Sequence, residues 1–264
     1  DNPNVGDHLN DHQGINYTWR MKVPTYNNLL RPWWGKLLVG MQYVLTGSGP
    51  LAKSINHGGG FFRTDPALDR PNMQLYMQAF STLLPKAGER PLLTPDPFPG
   101  LSLGLSNCRP TSRGHIRIHS ADPLAHPTIT ANAFSTDHDV QEMLAAVKYL
   151  RHIAAQPAFA KLIEEELRPG PQVQNDADLI ADFRQRSGTV YHPSCTARMG
   201  RVDDAMAVVD PELRVRDGRG GVVRGLRVVD ASVMPTITSG NTNSPTLMMA
   251  EKAAQWLAHE AEQA

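Results

Sequence analysis

The chain has 264 residues, 41% of them apolar, which is length for one large domain or two small ones at ~150 residues per domain and material enough for a buried core. Lysine plus arginine and aspartate plus glutamate number 26 each, so no basic excess is available to hold nucleic-acid phosphates, and nucleic acid is not an expected partner. The most apolar stretch, GKLLVGMQYVLTG at 35–47, is shorter than the ~18 apolar residues of a membrane span, and no span is expected.

The sequence opens on DNPNVGDHLNDH with neither methionine nor a signal-peptide pattern, which leads us to expect a piece of a longer polypeptide. Residues 1–65 are rich in Asn, Gly and Pro and read as mostly extended cover, with one helix near Trp33 to Thr46 and a glycine run in NHGGGFF. Short alternating segments then follow at 72–80 (NMQLYMQAF), 101–107 (LSLGLSN), 114–120 (GHIRIHS) and 126–134 (HPTITANAF), separated by Pro and Gly. These have the period of strands in an antiparallel sheet.

Residues 135–159 place Val140, Met143, Leu144, Val147, Leu150 and Ile153 on one helical stripe, opened by a Ser/Thr/Asp cap and closed before Pro157; this predicts a helix covering a sheet. A second helix is predicted over 175–188, with Asn175 or Asp176 as cap and Gly188 as stop. Next come the loop TVYHPSCTARMG (189–200), a hairpin around Asp217-Gly218, a strand LRVVD (226–230) and the loop ASVMPTITSGNTN. The last helix is expected to begin just after Asn243, with Ser244 as N-cap and Pro245 in the first helical position. Strands, then helices, then strand and helix make the fold class α+β rather than a βαβ alternation.

Several chemistries are written in the letters. HGGG (57–60) with GLSLG (100–104) spells an oxyanion loop and a G-x-S-x-G elbow around Ser102, yet the elbow requires a strand, a sharp turn and a long helix, and Ser102 is followed by alternation and Pro110. No G-x-G-x-x-G lies between a strand and a helix, so most of any dinucleotide site lies elsewhere. HEAEQ at 259 lacks the second histidine of a zinc protease motif. Cys108 and Cys195 form no C-x-x-C or Cys/His cluster; neither a metal site nor a disulfide framework is expected, and a reducing cytoplasm fits.

What remains is YHPSCTARMG together with VVDASVMPTITSGNTNSPTLMMAEKAA. Alone, a histidine before proline reads as a hydrogen-bonded loop residue and an asparagine before a helix as a turn or cap. In this order, and with VGDHLNDH (5–12) and GHIRIHSADPLAHPTI upstream, they resemble the glucose-methanol-choline (GMC) oxidoreductase family. VGDHLNDH is similar to its V-G-x-N-L-x-D-H segment, and YHPSCTARMG to its Y-H-P-x-G-T-x-R-M-G. The resemblance runs over most of the chain and corresponds to the C-terminal half of such enzymes, whose Rossmann fingerprint lies upstream.

The resemblance implies an FAD-dependent alcohol oxidase or dehydrogenase that transfers a hydride to flavin N5, with an FAD-binding N-terminal half supplied by the same precursor or a second chain. It places His192 at the family's active-site histidine and Asn243 at its second active-site position. Asp230 and Ala231 match the pair near the flavin's ribityl and diphosphate, Ser244 and Pro245 the residues against the isoalloxazine, and Asn10 and His12 an FAD-wrapping segment. The implied organisation is an FAD-covering segment over 1–65, an antiparallel-sheet substrate domain over 66–188, and at 189–264 the active-site loop, strand and helix that complete a Rossmann-like FAD domain. A hydroxynitrile lyase on the same fold and a non-catalytic partner subunit stay open as alternatives.

Physical chemistry supports the roles independently. An imidazole starts near pKa 6.5 and suits a general base at neutral pH, while an amide can hold an alkoxide oxygen but cannot take its proton. A helix starting at Ser244-Pro245 would aim free N–H groups at the negative edge of a reduced flavin. Three positions depart from the family pattern: His8 stands where Asn is usual, Cys195 where Gly is usual, and Ala197 where Cys is common. A positive φ at 195 would strain a cysteine.

Overall fold

A computed structural model describes residues 2–83 and 94–263. In chain order its elements are β1 (Asp7–Leu9), β2 (Gln13–Met21), α1 (Tyr26–Leu30), α2 (Trp33–Thr46), β3 (Gly58–Phe62), β4 (Met73–Gln78), β5 (Gly100–Asn107), β6 (Gly114–Arg117) and β7 (Thr128–Thr130). There follow α3 (Asp137–Ala154), α4 (Pro157–Ala160), β8 (Ile163–Arg168), α5 (Asp176–Arg186), β9 (Gly188–Thr189), β10 (Arg214–Arg216), β11 (Val222–Arg227) and α6 (Asn243–Gln263). The expected α+β class holds: antiparallel sheets are accompanied by helices, and no helix among the described residues is long and apolar enough to cross a membrane. The chain divides into two compact units, one built from the chain up to Gln13, Asn107–Val140 and the chain from Thr189 onward, the other from Gly14–Ser106 and Gln141–Gly188.

The second unit is organised on a sheet of order β3-β4-β5-β2-β8. Its centre is β5, buried at every residue, because Leu101, Leu103 and Leu105 fill one face while Ser and Gly keep the other thin. A Cβ on Gly104 would lie 2.1 Å from Asn16 Oδ1, and one on Gly100 1.8 Å from Ser81 Oγ. The G-x-S-x-G letters are therefore a packing pattern: Ser102 shares a 3.3 Å hydrogen bond with the Thr18 hydroxyl inside the β2–β5 ladder, and no helix follows.

Three strands of this sheet, β2, β3 and β8, escape the sequence reading; β3 is the glycine run GGGFF. β2 lies among residues read as cover, yet it pairs antiparallel with both β5 and β8 and buries Tyr17 and Trp19. Its Ile15, Tyr17, Trp19 and Met21 alternate with Asn16, Thr18 and Arg20 at the period of a strand, a local signal that the reading of 1–65 as cover passed over. β8 reads IEEELR, a polar run, and sits at the end of the sheet order, where charged side chains protect an edge. The guanidinium of Arg151 on α3 pairs with both oxygens of Glu166 at 2.7 and 3.0 Å and lies over the Tyr17 ring, and Phe62 stacks on Tyr149 at 4.5 Å. These contacts set α3 against the sheet, its Met143, Val147 and Leu150 fully buried. α5 carries the expected cap, with the Asn175 side chain accepting from Asp178 N.

The first unit holds the sheet β1-β6-β7 and the hairpin β10–β11. The segment expected as a strand over 126–134 is regular only at β7, since Asn132 and Phe134 take φ of 52° and 53° and leave the ladder. Likewise the strand expected over 226–230 stops at Arg227: Val228 N turns to Leu213 O, and the Asp230 carboxylate accepts from Ser232 N to cap a short 3-10 turn. α6 packs Met249 and Ala253 into a core of Cys195, Ala197, Val208, Val209, Leu213, Val233 and Met234. It begins at Asn243, one residue earlier than expected, because Thr242 O already accepts from Thr246 N and from the Thr246 hydroxyl; Ser244 is thus inside the first turn rather than its cap.

Candidate active site

Three separate stretches of the first unit are laced together around His192. Gly6 N donates to Thr196 O at 2.8 Å, Asn10 and Ser194 exchange backbone bonds at 3.0 and 2.9 Å, and Val190 N donates to His12 O at 3.2 Å. Residues 6–12 thus run alongside 190–196 with opposite sense. On its other side Gly6 O accepts from Ile116 N at 2.7 Å. Glycine is required there, for φ is +84° and a Cβ would stand 2.2 Å from Ile116 O.

The lacing brings two imidazoles together. His12 Nδ1 and His192 Nδ1 are 2.9 Å apart with rings nearly perpendicular, and His12 Nε2 lies 3.1 Å from the Cys108 carbonyl oxygen. His12 is 1% exposed and His192 is half-buried. Burial depresses the pKa of both below the ordinary 6.5; for His12 the Cys108 carbonyl opposes the shift and the neighbouring His192 adds to it, and for His192 Asp11 opposes it. Both rings are therefore neutral at pH 7.

Asp11 clamps the loop that carries His192. One carboxylate oxygen accepts from His192 N at 3.1 Å and the other from the Thr189 hydroxyl, while Thr189 Oγ1 in turn accepts from Tyr191 N at 2.8 Å. This holds Tyr191 at φ 65°, a strained value for an aromatic residue, immediately before the histidine. Asn10, 1% exposed, braces the same region: its amide nitrogen donates to Pro110 O and Ser112 O, each at 3.2 Å, and its oxygen accepts from Ile237 N at 3.3 Å. Asp139 at the start of α3 secures the 110–112 turn by accepting from Thr111 N, the Thr111 hydroxyl and Ser112 N, which holds its carboxyl below the usual range despite burial.

Of the residues singled out from sequence, His192, His12 and Asn10 are thus drawn into one cluster. Asp230 and Ala231 form the 3-10 turn beside the His192 loop, with Cys195 N donating to Ala231 O. Asn243, Ser244 and Pro245 make the first turn of α6; the Asn243 and Ser244 side chains are exposed and form no hydrogen bond within the described chain. Asp11 and the Cys108 carbonyl were missed. Asp11 stood between two chosen residues, but a clamp on a loop far along the chain has no local signature, and a backbone carbonyl has no letter at all. The departures from the family pattern also gain a physical setting: His8 and Cys195 sit at φ 63° and 75°, the left-handed region where Asn and Gly are the least strained residues. Cys195 is fully buried and its thiol is pushed up to about 11 by desolvation, so it is no nucleophile.

Residues 110–250 match the sequence model of a family described as GMC oxidoreductase. The chain belongs to the GMC oxidoreductase family. Among curated relatives it is 37% identical over 252 residues to an oxygen-dependent choline dehydrogenase of Stenotrophomonas maltophilia, covering 96% of this chain and 43% of that one. It is also 37% identical over 265 residues to an alcohol dehydrogenase [acceptor] of Pseudomonas putida, covering 100% of this chain and 46% of that one. In structure it superposes on a formate oxidase variant of Aspergillus oryzae with a TM-score of 0.86 at 26% identity, over 100% of this chain and 48% of that chain. The chain thus spans a little under half the length of these relatives. GMC oxidoreductases are FAD-binding flavoproteins. Among the described residues no group of three or more His, Cys, Asp or Glu is arranged to hold a metal ion.

Proposed function

We propose that this chain is the C-terminal part of an FAD-dependent oxidoreductase acting on an alcohol, in which His192 takes the hydroxyl proton and Asn243 holds the alcohol oxygen. The observation that carries the reading is the imidazole pair, His12 buried and His192 half-buried on a loop clamped by Asp11, with burial lowering the pKa of both. A base must be unprotonated at working pH and fixed in direction, and this arrangement meets both needs. Asn243, exposed and with unspent amide donors, is suited to stabilise the oxygen as negative charge develops on it. The names of the relatives, a choline and an alcohol dehydrogenase, support a CH–OH donor.

The residues present fit FAD. Among the described residues the N–H groups of Asn243 and Ser244, in the first turn of α6, have no partner, Pro245 has no N–H to leave unpaired, and Asp230 presents an exposed carboxylate. Asn10 and His12 already spend their side-chain hydrogen bonds inside the protein, so they would serve the cofactor by shaping the 6–12 segment. When bound, FAD supplies the hydride acceptor. The chain's part is to accept the proton at His192 and to hold the oxygen at Asn243 through the transfer; the remaining FAD contacts fall to an N-terminal half.

The test is anaerobic stopped-flow reduction of the full-length enzyme by an alcohol found in a screen run both under air and with an artificial acceptor. His192→Ala should slow reduction by about 10²–10⁴ with little change in flavin content. An unchanged rate would sink the assignment. An alcohol-dependent reaction that never bleaches the flavin would favour the lyase, and absence of any flavin a non-catalytic subunit.

A further inference from the structure

His12 sits behind the proposed base and touches neither solvent nor an open surface, yet both of its ring nitrogens are engaged. A carbonyl oxygen can only accept, so the 3.1 Å contact to Cys108 O requires the proton on His12 Nε2. A neutral ring with Nε2–H has a bare Nδ1. That lone pair faces His192 Nδ1 at 2.9 Å, and two bare nitrogens at this distance would repel, so the bond exists only if His192 carries its own proton on Nδ1. We propose that His12 is a positioning residue: the Cys108 carbonyl sets its tautomer, and its Nδ1 draws the His192 proton to Nδ1, leaving His192 Nε2 as the open, proton-accepting nitrogen.

The same geometry keeps the ring aimed. His192 is fixed at three points, by its N–H to Asp11, its carbonyl accepting the Ser194 hydroxyl at 2.9 Å, and its Nδ1 to His12. When an alcohol proton arrives at Nε2, the resulting imidazolium keeps its Nδ1–H donated to His12, and no proton need leave the pair. The groups facing His12 are His192, Asp11 and the carbonyls of Cys108 and Thr238; of these only His192 and Asp11 can carry charge. A charge on both rings at once is opposed by their mutual repulsion.

The role of His12 in catalysis rests on His192 being the base; the tautomer itself does not. Two measurements separate them. In the full-length, flavin-bound enzyme labelled with ¹⁵N-histidine, long-range ¹H–¹⁵N spectra above the titration range should show His192 protonated on Nδ1 and bare on Nε2, with His12 the reverse. A His192 protonated on Nε2 would overturn the proposal without any variant being made. His12→Gln retains an amide oxygen that can accept from Nδ1–H, whereas His12→Leu retains bulk but no acceptor. Flavin reduction should fall by about 10- to 100-fold in His12→Leu and by no more than about 3-fold in His12→Gln, with the His192 tautomer mixed only in the former. Equal losses in both variants would overturn the acceptor role in favour of packing. A tautomer that shifts while reduction is unaffected would refute His192 as the base and leave the hydrogen-bond relay standing.

Discussion

Asn10 offers a direct measure of how much the site depends on its bracing. In Asn10→Ala three side-chain hydrogen bonds vanish, at 3.2, 3.2 and 3.3 Å. The consequences are unequal. Pro110 O and Ser112 O still accept from Arg113 Nη1 at 2.8 and 2.9 Å, so neither is orphaned, but Ile237 N loses a buried acceptor. One orphaned donor costs about 1–3 kcal/mol and each of the other lost bonds about 0.5 kcal/mol at these long distances, giving a loss of about 2–4 kcal/mol. At ~2–4 °C per kcal/mol for a chain of this size, Tm should fall by roughly 10 °C. Asn10→Asp is a sharper perturbation: it keeps the acceptor for Ile237 N but aims a second oxygen at two carbonyls in a site 1% exposed. Burial and repulsion raise the folded pKa of this carboxyl above its unfolded ~3.9, so the folded state holds the extra proton and the penalty grows as pH rises. Urea unfolding followed by circular dichroism should therefore show the Asp variant's deficit shrinking from pH 7 to pH 4 while the Ala variant's deficit stays constant. An Ala variant within 1 kcal/mol of wild type, or an Asp deficit indifferent to pH, would refute the bracing role.

With His192 as the proposed base, its pKa, depressed by burial, should put the acidic limb of kcat/KM for an alcohol below 6.5, since the base must be neutral; a limb above that value would contradict the proposal. For stability the sign is the same: the unfolded chain binds protons first, so the contribution of the neutral pair is complete above pH 6.5 and declines as pH falls toward the depressed folded values. At Cys195, φ 75° and full burial compete. Cys195→Gly relieves about 1 kcal/mol of left-handed strain and loses a similar amount of packing, whereas Cys195→Ala loses packing and keeps the strain, so the glycine variant should melt at or above the alanine one. With its thiol pushed up to about 11, Cys195 should also resist iodoacetamide at pH 8 in the folded protein, as mass spectrometry would show. Finally, these 264 residues alone should not form a stoichiometric yellow complex with FAD in equilibrium dialysis; tight binding would contradict the need for an N-terminal half.

Local physics made much of this protein legible from its letters. The stripe Val140 to Leu150 and the Asn175 cap name their helices because a helix is specified by residues three and four apart and by its own ends. Motif order pointed to His192, and the glycine usual at 195 raised the positive φ that the chain adopts there with Cys, whereas the same backbone at His8 became visible only in the fold. Other elements depended on partners that no window contains. β8, a polar run, is a strand because β2 pairs with it, while β11 ends early because Leu213 and Ser232 capture the residues beyond it. The pairing of the two imidazoles is the clearest case. His12 and His192 are separated by 180 positions, and what makes them one device is a carbonyl at Cys108 and a carboxylate at Asp11. Sequence alone marked the histidine; only the fold set its Nδ1 2.9 Å from His12 Nδ1 and His12 Nε2 3.1 Å from the Cys108 carbonyl, because such approaches exist only in three dimensions.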